Sequence, residues 1–381
     1  MVAVSEELAR VSSRPGSGRA SGRGPGRTRS PRSSMDFVQR SGLRGGRFGR
    51  RVSESRLATH YFKLGERTSF DAVAFCGRAL GGEVRILSDG ESAWPSGVAA
   101  CGRVWLCPVC APKIKARRAV ELESACDAHA ALGGSFSMVT VTARHDRSMA
   151  LVDVRRAVAS SWRKVQRRKS WRDIRALLDG QVTAPEVTVG ANGWHPHAHV
   201  LLFVRAGVSR SDLDKLLPDF IDDWRELVNS SLDSMPSVER AVNLVHFGSD
   251  SRAAAAGYLS KVANELTASD MKSGRDPFSL LDGVGEGDAE SIARWIEYAD
   301  AMKGVQSISW SKGLRARLGL GVELTDEEVA LQDEAAGVVV GVVFGERWNS
   351  LLRRGVAHEL LEEFEAQVRV FGLDAVASLV T

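Results

Sequence analysis

Three histidines stand at alternate positions, His195, His197 and His199, just before the apolar stretch 200–204. An apolar run of this length indicates a strand that enters a buried sheet. Because side chains two residues apart on a strand project to the same face, His197 and His199 should point the same way. Neutral imidazoles placed like this are good ligands for a divalent cation, although a pair of hydrogen-bonded core histidines is the alternative interpretation. His195 is expected to be a further ligand or an outer contact.

A carboxylate lies on a second predicted strand, residues 184–189, which a Gly-Ala-Asn-Gly turn sequence separates from the histidines. A four-residue loop would set Glu186 opposite His197, whereas a two-residue turn would set it opposite His199. Either register leaves the carboxylate on the same face as the histidines. We therefore predict a metal site formed by His197, His199 and Glu186. A mixed set of histidine and carboxylate ligands suits Mn²⁺ or Mg²⁺ better than a structural zinc.

Four of the five cysteines fall within residues 76–110, and the last two of them form a Cys-x-x-Cys pair. Such a pair alone also occurs in thiol redox sites. Four thiolates, however, can close a tetrahedral Zn²⁺ site that braces a region with little core of its own. The predicted structural zinc ligands are Cys76, Cys101, Cys107 and Cys110. Cys126 lies in the next predicted helix and is expected to be a buried thiol.

Length and composition limit the class of protein. A chain of 381 residues, 44% of them hydrophobic, can hold two or three domains with a sizeable core. No uninterrupted apolar run is long enough to span a membrane, and the N-terminus has no apolar segment of secretory type. Five cysteines without a repeating disulfide spacing fit a reducing compartment. We expect a cytoplasmic protein with no membrane partner.

The net charge of +4 conceals a strong asymmetry along the chain. Residues 1–51 carry twelve arginines and three acids, so the tail is basic. Residues 144–175 carry eleven basic groups against three acids. Residues 321–381 carry twelve acids against four arginines, so the C-terminal part is acidic. This distribution indicates nucleic-acid contact confined to part of the molecule.

Four regions are expected along the chain. Residues 1–52 are rich in Arg, Gly, Ser and Pro, which predicts a disordered basic tail that is either a DNA-binding arm or a solvated leader. Residues 53–130 should form a Cys-rich zinc module and a linking helix. Residues 131–270 follow the order β-α-β-β-α-β-α, which implies an α+β fold whose central antiparallel sheet has helices on one face. Residues 271–381 should form a helical C-terminal region.

A nucleophile can be sought among the three tyrosines, Tyr61, Tyr258 and Tyr298. Tyr258 lies in a predicted helix, residues 252–266, with Lys261 one turn later on the same side. A nearby ammonium favours the phenolate form and can also hold a phosphate oxygen. Small residues before Tyr258 would let a DNA backbone approach closely. Taken alone, the same pattern fits a half-buried tyrosine beside a solvated lysine.

Together these segments resemble the HUH endonucleases, and more closely the rolling-circle replication initiators of plasmids from actinobacteria and related Gram-positive bacteria. The resemblance runs from about residue 76 to residue 326. Each motif is short, but their order and spacing make the match specific. The matching segments are 101–110 with the basic residues up to 118, 138–142, 194–202, 258–261 and 310–315.

The resemblance implies an HUH endonuclease fold for residues 131–270 and a division of roles. Tyr258 would attack one phosphate of the plasmid double-strand origin and become linked to the DNA 5′ end. The freed 3′-hydroxyl would then prime the host DNA polymerase, assisted by a host helicase. A metal at His197 and His199 would polarise the scissile phosphate. The chain departs from some relatives at Ala254, where they carry a glutamate that activates water, so how replication ends is left open among Glu265, another tyrosine such as Tyr298, and unassisted water.

Three competing interpretations can be weighed at the level of the sequence. A single-tyrosine HUH transposase would use the same chemistry, and its genetic context would distinguish it. A relaxase fits less well, because its histidines usually form a three-member cluster with a tyrosine near the N-terminus. A zinc-module DNA-binding regulator without catalysis would explain the cysteines and the basic tail, but it would leave the histidine strand without a purpose.

Overall fold

A computed structural model describes residues 34–247, 275–332 and 337–380. Tyr258, Lys261 and the helix predicted at 252–266 lie outside the described residues, as do Ala254, Glu265 and residues 1–33 of the predicted tail. In chain order the helices and strands are α1 Ser34–Lys63, β1 Glu83–Ser88, β2 Ala93–Ser96, α2 Cys110–Ala131, β3 Ser135–Thr142, α3 Leu151–Val165, α4 Lys169–Arg175, β4 Leu178–Gly190, β5 Gly193–Val204, α5 Arg210–Leu232, α6 Val238–Ala241, β6 Val242–His246, α7 Leu280–Glu286, α8 Ala289–Ala301, β7 Ser309–Trp310, α9 Leu314–Arg317, α10 Asp326–Leu331, β8 Val338–Phe344, α11 Gly345–Arg354, α12 Ala357–Phe371 and α13 Leu373–Ala377.

The described residues fall into two compact units. The larger unit comprises Gly49–Gly77 and Ala99–Asp333, and the smaller one includes Arg78–Val98 and the chain from 337 onward. The cysteine cluster and the histidine strand therefore belong to one unit, whereas the sequence analysis placed a boundary between them at residue 130. The functional division into a zinc module and a nuclease domain stays a proposal.

A five-stranded antiparallel sheet forms the centre of the larger unit, in the order β6-β3-β5-β4-β7. The α+β class with antiparallel strands agrees with the prediction. Strands β3 and β5 lie inside the sheet, and eight consecutive residue pairs join them, from Ser135↔Val204 to Thr142↔His197. A histidine on β5 is therefore held by hydrogen-bonded neighbours on both sides. This pairing fixes the positions of the histidine side chains without any ligand.

One face of this sheet is covered by α3, α4 and α5. Their apolar residues form one core with Val139, Val141, Val200 and Leu202 of the sheet. The apolar side of α5 faces this core: Leu213, Phe220 and Trp224 are buried, while Leu216 and Leu217 pack partly buried against it. Burial of each such side chain contributes on the order of 1.5–3 kcal/mol.

The expectation of helices on one face alone is wrong, because α2 covers part of the other face. Leu122 and Cys126 of α2 share a core with Met138 of β3 and Leu201 of β5. The reason lies in the apolar run 200–204, which presents apolar side chains to both faces of the sheet. Both faces must then be covered to keep those side chains from water.

Two further segments differ from the sequence expectations. Residues 34–52, placed in a disordered tail, belong to α1, whose Val52, Leu57 and Ala58 are buried and whose Arg51 Nε donates to the Cys76 carbonyl at 2.8 Å. Tertiary contacts of Arg51 and Val52 thus hold the end of a stretch whose composition favours disorder. The single helix expected between the first two strands of residues 131–270 is two helices, α3 and α4, and the break lets Trp162 and Trp171 meet with ring centroids 4.8 Å apart.

The smaller unit contains a three-stranded sheet in the order β2-β1-β8, with α11, α12 and α13. Its core includes Val84, Ile86, Val340, Trp348 and Leu361. The C-terminal region, predicted to be helical, therefore also contributes a strand, because the valine-rich run 338–344 has high β-propensity. Among the described helices, none combines the length and the apolar character needed to cross a membrane.

Candidate functional site

The hairpin of β4 and β5 sets the geometry of the histidine face, the side of the sheet that carries His195, His197, His199 and Glu186. Val189 pairs with Trp194, and Glu186 pairs with His197, which is the first of the two registers considered from the sequence. Ala191 and Asn192 form the tip, and Gly193 follows with φ 87°, a left-handed conformation that favours glycine. A Cβ at Gly193 would also lie 3.1 Å from the Cα of Arg147, so the chain approaches closely here.

His199 is fixed by two hydrogen bonds. Its Nε2 lies 2.5 Å from Glu186 Oε2, and its Nδ1 lies 3.0 Å from the hydroxyl of Thr140 on β3. A carboxylate accepts hydrogen bonds, so Nε2–H donates to Glu186 and Nδ1 accepts from Thr140. A threonine hydroxyl can donate or accept, so it can serve either tautomer of the imidazole. Thr140 therefore holds the ring in one orientation whether His199 carries a proton or a ligand on Nε2.

Two buried atoms on this face that could bind a metal have no hydrogen-bond partner among the described residues. They are His197 Nδ1 and Glu186 Oε1, on directly paired residues. Burial and the neighbouring His195 lower the pKa of His197 to about 3, so this imidazole is neutral. Burial raises the pKa of Glu186, but the hydrogen bond from His199 and the nearby imidazoles bring it below its ordinary value. A neutral imidazole beside an ionised carboxylate could hold a divalent cation.

A fourth histidine, His145, extends the row. It follows β3, and its Nδ1 lies 3.1 Å from the Ala143 carbonyl, which can only accept, so Nδ1–H is the donor. Its Nε2 lies 2.9 Å from His195 Nδ1 and must then accept. His195 is left with a lone pair on Nε2, and its ring centroid lies 4.2 Å from that of His197. Burial, with the neighbouring His145, lowers the pKa of His195 to about 4.

The cysteine quartet lies where α1, a loop and the start of α2 meet. Cys76 Sγ is 3.3 Å from Cys110 Sγ and 3.5 Å from Cys107 Sγ, and Cys101 Sγ is 3.8 Å from Cys110 Sγ. A tetrahedral zinc with Zn–S bonds of about 2.3 Å has sulfur–sulfur edges of about 3.8 Å. The cluster could therefore bind a metal such as zinc with little movement. Cys126 is buried in α2 apart from the quartet, and burial raises its pKa to about 12.

Electrostatics in the quartet also favour a bound cation. Burial raises the pKa of Cys107 well above its ordinary value. Hydrogen bonds from the surrounding thiols lower the pKa of Cys110 below its ordinary value. Uncompensated charge in a buried site is costly unless a cation neutralises it.

The two sets of candidate ligands differ in how closely they converge. Three or more His, Cys, Asp or Glu residues could hold a metal ion where their ligand atoms all lie within 4.8 Å of one another. Within the described ranges, only the cysteine quartet meets this spacing. His197, His199 and Glu186 share one face but do not meet this spacing. Side-chain rotation on the fixed strands would be needed to close them on an ion.

Sequence reasoning overlooked His145 and Thr140. The signal for His145 was a titratable residue just past the end of a predicted strand, where binding residues are often placed. The signal for Thr140 was its place on the strand that had to pair with the histidines, but the register of that pairing is not visible in the sequence.

Of the two described tyrosines, Tyr298 is a poor candidate for the nucleophile. Tyr298 is 2% exposed and stacks on Trp194 with ring centroids 5.8 Å apart. Burial raises the pKa of Tyr298 well above its ordinary value. Tyr61 is half-buried and packs against the same core. The proposal that Tyr298 ends replication is therefore set aside, because a phenol in this core is closed to DNA.

Comparison with known proteins agrees with the motifs. A family model described as "Replication protein" matches residues 97–298, which contain the quartet's last three cysteines, the histidine strand and Tyr258. "Protein rep" of Streptomyces lividans is 28% identical over 347 residues, covering 71% of this chain and 76% of that protein. "Neomycin resistance protein" of Streptomyces cyanogenus is 36% identical over 135 residues, covering 28% of this chain and 31% of that protein.

No solved structure matches the chain. The sequence match is nevertheless decisive for the family, because it covers more than half of the 381 residues and includes each candidate metal ligand except Cys76. The chain therefore belongs to the replication protein family of plasmid replication initiators.

Proposed function

We propose that this initiator starts rolling-circle replication by nicking one DNA strand at the plasmid double-strand origin. The observation that carries the proposal is the histidine face, where His197, His199 and Glu186 present buried donor atoms on one side of a preformed sheet. A DNA-binding regulator would have no use for such a set. The proposal keeps the HUH endonuclease fold as its structural frame.

The donor set fits Mn²⁺ or Mg²⁺, because it combines imidazole nitrogen with carboxylate oxygen and has unpartnered atoms to offer. A divalent cation bound there would polarise the scissile phosphate and stabilise its extra negative charge. Thr140 keeps the His199 ring oriented through Nδ1. His145 fixes the tautomer of His195 so that its Nε2 faces outward as an acceptor. These contacts fix the tautomers and the strand positions of the histidines, and rotation of the side chains would then bring the ligand atoms together on an ion.

Tyr258 is the proposed nucleophile and Lys261 its cationic neighbour. The phenolate oxygen attacks phosphorus, the bond to the 3′-oxygen breaks, and that oxygen takes up a proton to become the 3′-hydroxyl. The phenolic proton is released to solvent. The 5′-phosphate stays on Tyr258, and the 3′-hydroxyl primes the host polymerase on DNA opened by a host helicase. An ordinary phenol is largely protonated at neutral pH because its pKa is about 10, so the lysine and the activated phosphate are both required.

The test is to trap a covalent adduct between the protein and a labelled single-stranded origin oligonucleotide, followed by peptide mapping. We expect the label on Tyr258, and Tyr258→Phe should abolish the adduct while zinc content and DNA binding persist. Tyr298→Phe removes the same hydroxyl from a buried position and serves as the matched control, which should retain the adduct. A label on Tyr61 would show that the nucleophile is misassigned.

Absence of any adduct with every divalent metal tested would contradict nicking and favour a non-catalytic DNA-binding regulator. A single-tyrosine transposase would give the same adduct but would act on transposon ends. Cleavage of the plasmid origin in preference to such ends separates that alternative from replication.

A further inference from the structure

A large cleft opens beside the histidine face, at the tip of the β4–β5 hairpin. Its volume is about 970 Å³, at the upper end of the range for ligand pockets. Its walls are the hairpin tip, the residues that follow β3, and the loop between α5 and α6. We name it the arginine cleft, after Arg144, Arg225 and Arg240, which line it together with His145 and His195.

The charge of the arginine cleft is one-sided. Its lining includes three guanidinium groups and no carboxylate. Arg144 and Arg240 are exposed, and neither guanidinium group makes a hydrogen bond or an ion pair with a described residue, although the backbone N–H of Arg240 donates to the Ser237 carbonyl. Acidic residues lie nearby: Asp222 is 3.7 Å from Arg225, and Glu239 adjoins Arg240. The pKa of Glu239 is lowered chiefly by a hydrogen bond from its own backbone N–H, and Arg240 is among the further contacts that lower it. Two unpaired guanidinium groups remain, and such groups recognise phosphate.

Arg225 holds the cleft open instead of serving as a free cation. Its Nε donates to the Pro236 carbonyl at 2.8 Å and so fixes the loop that carries Met235. On the opposite side, Trp224 Nε1 donates to the Thr142 carbonyl at 2.9 Å and fixes the end of β3, just before Arg144. Both arms of the cleft are thus attached to α5. The positions of Arg144 and Arg240 are set by these attachments.

The remaining lining suits an unstacked nucleotide. Met235 is 42% exposed, and a thioether packs well against an aromatic ring. The exposed amide of Asn192 at the hairpin tip can donate to and accept from a base edge. The neighbouring Gly190 and Ala191 have no side chain or a small one, so a sugar-phosphate backbone can approach the tip closely. A duplex would present its bases stacked and could not use these contacts.

We propose that the arginine cleft binds the single-stranded DNA that flanks the scissile phosphate, with one backbone phosphate on Arg144 and another on Arg240. This proposal rests on the proposed nicking function, since it names where the substrate strand enters the site. His195 belongs to both the cleft and the row of histidines, so a strand held in the cleft reaches the histidine face directly. The cleft would add affinity and direct the strand without taking part in the chemistry.

The test compares the full chain with the Arg144→Ala/Arg240→Ala variant. Fluorescence anisotropy measures binding of a dT oligonucleotide of about 12 nucleotides across a salt series. Each phosphate contact on a single strand contributes a slope of about −0.7 in log K against log [salt], so losing two should flatten the slope by about 1.4. We expect Kd at low salt to rise by at least about tenfold. Arg144→Lys/Arg240→Lys keeps both charges and should restore the slope.

The matched control is Arg353→Ala/Arg354→Ala, which removes two exposed arginines from α11 in the smaller unit. Salt slopes that are equal for this control and for the cleft variant would overturn the proposal. Cleavage kinetics test DNA binding by the arginine cleft separately from the nicking activity. The cleft variant should show a raised KM with kcat within about threefold of the parent chain. Adduct formation with unchanged KM would reject the cleft alone, whereas oligonucleotide binding through the cleft without any adduct would reject nicking alone.

Discussion

The cysteine quartet and the histidine face are two candidate metal sites in one compact unit, built by opposite means. The quartet gathers four sulfurs from a loop and helix ends, with sulfur–sulfur contacts of 3.3–3.8 Å. The histidine face takes its donors from β4 and β5, where strand pairing alone sets their positions. The first has soft ligands packed closely enough to close on an ion. The second has mixed ligands left partly unpartnered and adjoins an open cleft.

This difference indicates different dependence on the metal. Cys76, Cys101 and Cys107 lie outside the helices and strands, so a metal that joins them to Cys110 would contribute directly to folding. The histidine strand is held by β3 and β4 on its two sides and by cores on both faces. Removing its metal should leave the fold intact. We therefore expect a structural role for the quartet and a chemical role for the histidine face.

The largest effect is expected from the quartet. Cys107→Ser should release about one equivalent of zinc per chain. It should also lower the melting temperature of the larger unit by about 10 °C, as expected for a loss of roughly 3–5 kcal/mol in a unit of this size. Metal analysis and a thermal melt measure both. If the purified parent chain contains no zinc and all its cysteines are freely alkylated in the native state, the structural role of the quartet is contradicted.

The next effect concerns activity with the fold preserved. His197→Ala/His199→Ala should reduce nicking by more than about a hundredfold. About a hundredfold is the largest loss expected when only a residue that contacts a metal ligand is changed, and here the ligands themselves are removed. Zinc content and duplex binding should persist, because phosphate contacts by Arg and Lys dominate affinity. His246→Ala is the matched control, because it removes a histidine from the opposite face of the same sheet, where His246 bonds Ser137. Undiminished nicking in the double variant would refute the site.

A smaller effect is expected from Thr140, which touches His199 but offers no charged ligand. Thr140→Val keeps the shape and removes the hydroxyl, so the His199 ring loses its fixed orientation. Metal affinity at the histidine face should fall by about 10–100-fold. The concentration of Mn²⁺ that gives half-maximal nicking measures this shift. Thr140→Ser retains the hydroxyl and should restore the parent value, whereas an equal loss in both variants would indicate a packing defect.

The smallest effect is expected from Cys126→Ser. Cys126 is 4% exposed in the core beneath the histidine face and is not part of the quartet. Zinc content should stay at about one equivalent, and stability should fall by only about 1–3 kcal/mol from burying a hydroxyl. Loss of zinc in this variant would mean that the ligand set is misassigned.

Much of the candidate site could be predicted because its chemistry is local in the chain. The alternation of His195, His197 and His199 fixes a common face once the segment is a strand, and the short turn before it brings Glu186 alongside. The cysteines could be grouped from their spacing in the same way. His145 and Thr140 were missed because they reach the site through β3. About fifty residues separate β3 from β5 in the chain, and the register in which the two strands pair depends on packing.

The sequence by itself determined the residue types, the strand alternation and the four cysteines, because these depend only on backbone periodicity and ligand chemistry. Only the tertiary structure decided that α2 covers part of the sheet face that carries the histidines, that Tyr298 is buried against Trp194, and that Arg144 and Arg240 line one cleft. These outcomes depend on which elements pack together. Packing is selected by the burial of apolar surface over the whole unit, and no local segment of the chain contains that information.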